Sequence, residues 1–84
     1  MPIFKYEAEH ITRKTAVTLV RELEDKGVEV EYANMDPVFE NSMVLIATVE
    51  NSIAGSIRAR IWEENGGAAC DLHEITASEL ETYY

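Results

Sequence analysis

The stretch Met43-Val44-Leu45-Ile46-Ala47, continued by Thr48 and Val49, is the longest apolar run in the chain. At the two-residue period of a strand, Met43, Leu45, Ala47 and Val49 fall on one side, and Val44, Ile46 and Thr48 on the other. A strand apolar on both sides has to be covered on both sides. It is therefore expected at the centre of a sheet, with protein above and below. The run also falls far short of the ~20 apolar residues a membrane span requires.

Other segments can be placed around it. Ile3 to Tyr6 alternates as a short strand. Thr12 is suited to cap a helix in which Ala16, Val17, Leu19, Val20 and Leu23 recur at helical spacing, with Gly27 as its stop. Val28 to Tyr32 alternates strictly, the pattern of a half-buried strand, and Asn34 to Pro37 ends it, Asp36-Pro37 being turn chemistry. Asn51-Ser52 is read as a tight turn into a strand from Ala54 to Trp62. Ile57, Ala59 and Ile61 then face one way, Ser56, Arg58, Arg60 and Trp62 face the other, and Gly55 marks a bulge. Glu63 to Gly67 is expected as a hairpin loop on the strength of Asn65-Gly66, followed by a short strand from Ala68 to Leu72 or His73. Thr76 and Glu79 form a capping box, with Ile75 and Leu80 as its hydrophobic staple. The helix they open runs to about Tyr84 and would dock through Leu80, Tyr83 and Tyr84.

These elements predict a single α+β domain over residues 1–84: an antiparallel sheet of three to five strands with one long helix packed on a face and a short C-terminal helix, in the order (β)αββββα. The second face of the central strand is then covered by the C-terminal helix, a second copy or a partner. A helix, a three-stranded meander and a closing helix resemble the double-stranded-RNA-binding fold. That family uses a lysine-rich start to its second helix, whereas this chain carries Thr76, Glu79 and Glu81 there. The sign of the RNA contact is inverted, and the likeness implies no RNA binding.

Charge is the unusual bulk property. The formal net charge is −9. Residues 1–26 balance, while residues 27–84 carry eleven acids against only Arg58 and Arg60. Such a field repels nucleic acid and anionic membranes and attracts basic surfaces. With a single cysteine, Cys70, no internal disulfide can form, and the start of the chain has no signal-peptide pattern, so a reducing cytoplasm is the expected compartment.

No familiar catalytic pattern emerges. Cys70 and His73 are three apart on a strand and project to opposite faces, which defeats a thiolate–imidazole pair. One cysteine and two histidines do not form a zinc motif; Asp71 and His73 share a strand face but are a weak pair for a metal. Carboxylate pairs such as Glu29 and Glu31, Glu63 and Glu64, or Glu79 and Glu81 sit on outward positions where water keeps both ionised. Arg58 and Arg60 are expected to pair across strands with Glu29, Glu31 or Glu50, beside Trp62 as a protein-binding anchor.

The expectation for function is therefore a non-enzymatic acidic binding protein, with no cofactor and no metal. Alternate strand residues stand ~6.7 Å apart, so Glu29 and Glu31 present carboxylates at about the interval of backbone phosphates. Glu63, Glu64, Asp71, Glu74, Glu79 and Glu81 extend the acidic surface, and Trp62 and Tyr84 offer aromatic contacts. In size, acidity and lack of motifs the chain is similar to small phage-encoded inhibitors of the anti-CRISPR and anti-restriction kind, which act in the host cytoplasm. The expected partner is a basic protein surface, such as that of a nucleic-acid-binding effector complex, with no direct contact to nucleic acid or membrane. The alternative is a small adaptor or homo-oligomer, a homodimer for instance, using a sheet edge or the Trp62 face.

Overall fold

The computed structural model describes residues 1–34 and 42–84; the expected Asp36-Pro37 turn lies outside them. Its elements are β1 (Ile3–Ala8), α1 (Arg13–Asp25), β2 (Glu29–Ala33), β3 (Met43–Thr48), α2 (Asn51–Glu64), β4 (Cys70–Ile75) and α3 (Ala77–Glu81). The strands form one sheet in the order β2-β3-β1-β4, each neighbouring pair antiparallel. The α+β class, the antiparallel sheet, the long helix on one face and the short C-terminal helix are as the sequence predicts. β3, the doubly apolar strand, is an interior strand.

Ala54 to Trp62, expected as a strand, lies inside α2. Ile57, Ala59 and Ile61 satisfy a two-residue period, but Ala54, Ile57 and Ile61 also satisfy a helical one. The helical set is the one buried, whereas Ala59 is exposed. Glu63 to Gly67 is accordingly the end of a helix and not a hairpin loop. Gly66 and Gly67 take the left-handed backbone at φ 66° and 84°, and Gly67 N donates to Trp62 O at 2.9 Å. The chain leaves β3 through α2 and returns as β4 on the far side of β1. The order is thus βαββαβα, two split βαβ units of the ferredoxin-like arrangement followed by α3. The likeness to the double-stranded-RNA-binding fold ends here, because α2 occupies the place of that fold's third meander strand.

Local chemistry fixes the other elements. Thr12 caps α1, its hydroxyl accepting from Thr15 N at 3.2 Å, and Gly27 at φ 84° turns the chain out of the helix. Thr76 caps α3 in the same way, accepting from Glu79 N at 3.1 Å. The main core lies on one side of the sheet. Phe4, Tyr6, Ala8, Met43, Leu45, Ala47 and Cys70 meet Ala16, Leu19, Val20 and Leu23 of α1 and Ala54, Ile57 and Ile61 of α2. On the other side Ile46 and Ile75 are buried. There α3 and the residues after it lie across the strands: the Tyr83 ring packs on Tyr32 with centroids 5.2 Å apart, and Tyr84 Oη donates to Glu31 O at 3.0 Å. On this side the C-terminal segment, through Tyr83 and Tyr84 after α3, supplies cover for the sheet.

Candidate protein-binding face

Register decides which charges share a side. Tyr6 faces α1 and α2, so its neighbours Lys5 and Glu7 face the α3 side. Glu7 stands directly opposite Asp71 of β4, and Lys5 opposite His73. Glu7 and Asp71 are both exposed, a like-charge pair across two strands. Lys5 Nζ is 3.6 Å from Glu7 Oε1 and 3.5 Å from Glu79 Oε2. It also donates to Tyr83 Oη at 3.3 Å. That hydrogen bond, opposed by desolvation and aided by the charges of Tyr83, Glu7 and Glu79, holds the ammonium above its ordinary pKa. One partly covered cation thus ties β1 to α3 between two carboxylates and a phenol.

β2 carries its acids on the same side. Glu29 pairs with Thr48, and Glu31, the extra residue of a bulge between Val30 and Tyr32, accepts from Thr48 Oγ1 at 3.2 Å. Glu81 is exposed on α3. The α3 side therefore holds Glu7, Glu29, Glu31, Asp71, Glu79 and Glu81, with Lys5 as its cation among the described residues. The remaining bases, Arg13, Lys14, Arg21, Lys26, Arg58 and Arg60, belong to α1, α2 and the residue that follows α1. They stand among Glu22, Glu24, Asp25, Glu63 and Glu64 of the same layer. The sheet separates a nearly balanced helical layer from a strongly acidic face.

The ten residues expected to bind a partner are accordingly divided. Glu29, Glu31, Asp71, Glu79, Glu81 and Tyr84 lie on the α3 side. Glu63, Glu64 and Trp62 lie on α2, and Glu74, whose neighbour in register is Phe4, points to the helical side at the outer edge of β4. Arg58, Arg60 and Trp62 do not share a strand face. Two helical residues apart is a turn of about 200°, which sends Arg60 toward α1 and Arg58 toward β4. The cross-strand pairing expected with Glu29, Glu31 or Glu50 is replaced. Arg60 forks onto Glu22 at 2.8 and 2.9 Å and reaches Glu63 and Glu64, while Arg58 Nε donates to Cys70 O at 2.7 Å. Trp62, 55% exposed, lines a groove of about 290 Å³ with Gly55, Arg58 and Ala59. Glu7 and Lys5 escaped the sequence reading, since only the register of β1 against β4 brings them beside Asp71.

Cys70 and His73 do project to opposite sides of β4: Cys70 is buried in the main core, and His73 is exposed. Burial pushes the Cys70 thiol up to about 11, with Arg58 opposing and Asp71 adding to the shift. Among the described residues, no three of the His, Cys, Asp and Glu side chains converge in a way that could hold a metal ion. No helix among them is long and apolar enough to cross a membrane. Compared with known proteins, the chain matches no family model and no curated protein sequence.

Proposed function

We propose that this chain is a non-enzymatic binding protein. It presents the α3 side of its sheet to a basic surface of a nucleic-acid-handling protein and keeps nucleic acid off that surface, in the manner of anti-CRISPR and anti-restriction inhibitors. What supports the reading is the segregation of charge across the sheet. Glu7, Glu29, Glu31, Asp71, Glu79 and Glu81 share one face with a single described lysine, and the other bases sit behind the strands. A single-sign face steers a cationic partner and repels polyanions. The Glu7–Asp71 pair supports it further, because two like charges set opposite each other cost stability that a cationic partner would restore.

The test is capture of proteins from a bacterial lysate on the immobilised chain, at low and at high ionic strength. Nucleic-acid-binding proteins should be retained at low salt, released by high salt, and lost when Glu79 and Glu81 are both changed to lysine. Retention indifferent to salt and to that reversal would overturn the proposal.

A further inference from the structure

β4 is an outer strand, bonded among the described residues to β1 alone. Ala69 O accepts from Glu9 N at 3.1 Å, on the β1 side. Backbone groups alternate along a strand, so those of Cys70, Leu72 and Glu74 point away from β1. Arg58 already occupies Cys70 O. Leu72 and Glu74 leave a length of edge at which a further strand can pair.

α2 stands over this edge. Tyr6, opposite Leu72 in the register, donates to Ala54 O, so the first turn of α2 lies at the level of Leu72. The flank of α2 on the Arg58 side carries the groove lined by Gly55, Arg58, Ala59 and Trp62. A Cβ built on Gly55 would meet nothing within 4 Å, and one built on Gly67 would stand 3.4 Å from Trp62 Cζ2, so Trp62 leans on Gly67 at the far end.

We infer that the β4 edge and this flank of α2 together receive an extended basic segment of the partner, added to the sheet beside β4. The inference rests on the basic partner proposed above and names the form in which it binds. In strand addition the main chain supplies affinity and alternate side chains supply specificity. On the helical side, a residue next to Leu72 points into the groove, which takes one bulky apolar side chain. On the other side its neighbours meet Asp71, with Glu7 beyond it, and prefer lysine or arginine. Acids on an edge strand also deter self-pairing. A second copy would bring its own Asp71 and Glu74 to the same seam and add like charge, whereas a segment alternating basic and apolar residues meets opposite charge on one side and the groove on the other.

A short peptide alternating lysine and valine is the probe, and a peptide of the same composition with lysines and valines in separate blocks is its control. In an NMR titration the alternating peptide should bind on the order of tenfold more tightly and slow hydrogen exchange at the Leu72 and Glu74 amides. Gly55→Leu fills the groove with a better helix former and should abolish that preference while the melting temperature holds or rises. Trp62→Ala should reduce it as well. Equal binding of both peptides, without protection of β4, overturns strand addition and leaves the acidic face standing. Binding of neither peptide removes both readings. A dimer joined through β4 that the peptide fails to displace makes the occupant a second copy and overturns the inference.

Discussion

The phenol of Tyr6 donates a 2.9 Å hydrogen bond to the carbonyl of Ala54, pinning the interior strand β1 to the first turn of α2. Tyr6 is fully buried, and its bond sets the height at which α2 crosses the β4 edge. Tyr6→Phe should lower stability by about 1 kcal/mol, seen as an earlier urea midpoint at unchanged slope. In the peptide titration the same variant should blur the selection for alternating residues, since it frees α2 to shift over Leu72.

Alkaline pH should destabilise the fold through two buried groups. Burial raises Cys70 from its ordinary value to about 11 and Tyr6 to about 12. A group whose pKa is higher in the folded state contributes stability that is whole below the unfolded pKa and is lost as pH rises toward the folded one. Stability should therefore fall from about pH 9 upward, and Cys70→Ala should move the onset toward pH 10. At pH 8 the folded thiol should react with an alkylating reagent about 100-fold more slowly than a free cysteine, from its smaller thiolate fraction alone. Urea titrations across the alkaline range and timed alkylation check both.

Acid acts through a different contact. Glu22 is held below the usual carboxylate range by its hydrogen bond from Arg60, with Lys26 adding to the effect. A lowered folded pKa contributes stability present above the ordinary value and lost as pH falls through the lowered one. Arg60→Gln should thus be less stable than the parent at neutral pH, and the difference should close in acid. Adding Glu22→Gln to Arg60→Gln should cost little more, because the pair acts as a unit.

Asp71→Asn should separate stability from binding. It removes one of two like charges facing each other, and should raise stability by about 0.5 kcal/mol. The same change should weaken salt-sensitive capture of basic proteins. A variant both less stable and equally competent in capture would show that Asp71 plays neither part.

How much of this was legible depended on where the signals lay. α1 and α3 begin at Thr12 and Thr76, whose hydroxyls cap them, and such caps can be read from sequence. α2 begins at Glu50 with no side-chain cap, and Ile57 and Ile61 fit both periods, so it passed for a strand. Length does not decide either, because Ala54 to Trp62 is within the ordinary span of a strand. Alternation correctly placed Glu29 with Glu31 and Asp71 with His73. The meeting of Glu7 with Asp71 joins the first and last strands, and no pattern in a single chain reports that register.

β1 has no local partner. Ile3 meets Thr48 on one flank and Ile75 on the other, so each neighbour is won only by closing a long stretch of chain. A fold built this way leaves little that can form early and persist alone. It should assemble more slowly than a helical bundle of equal size and come apart in one step, with damage to either end of the chain felt throughout the sheet.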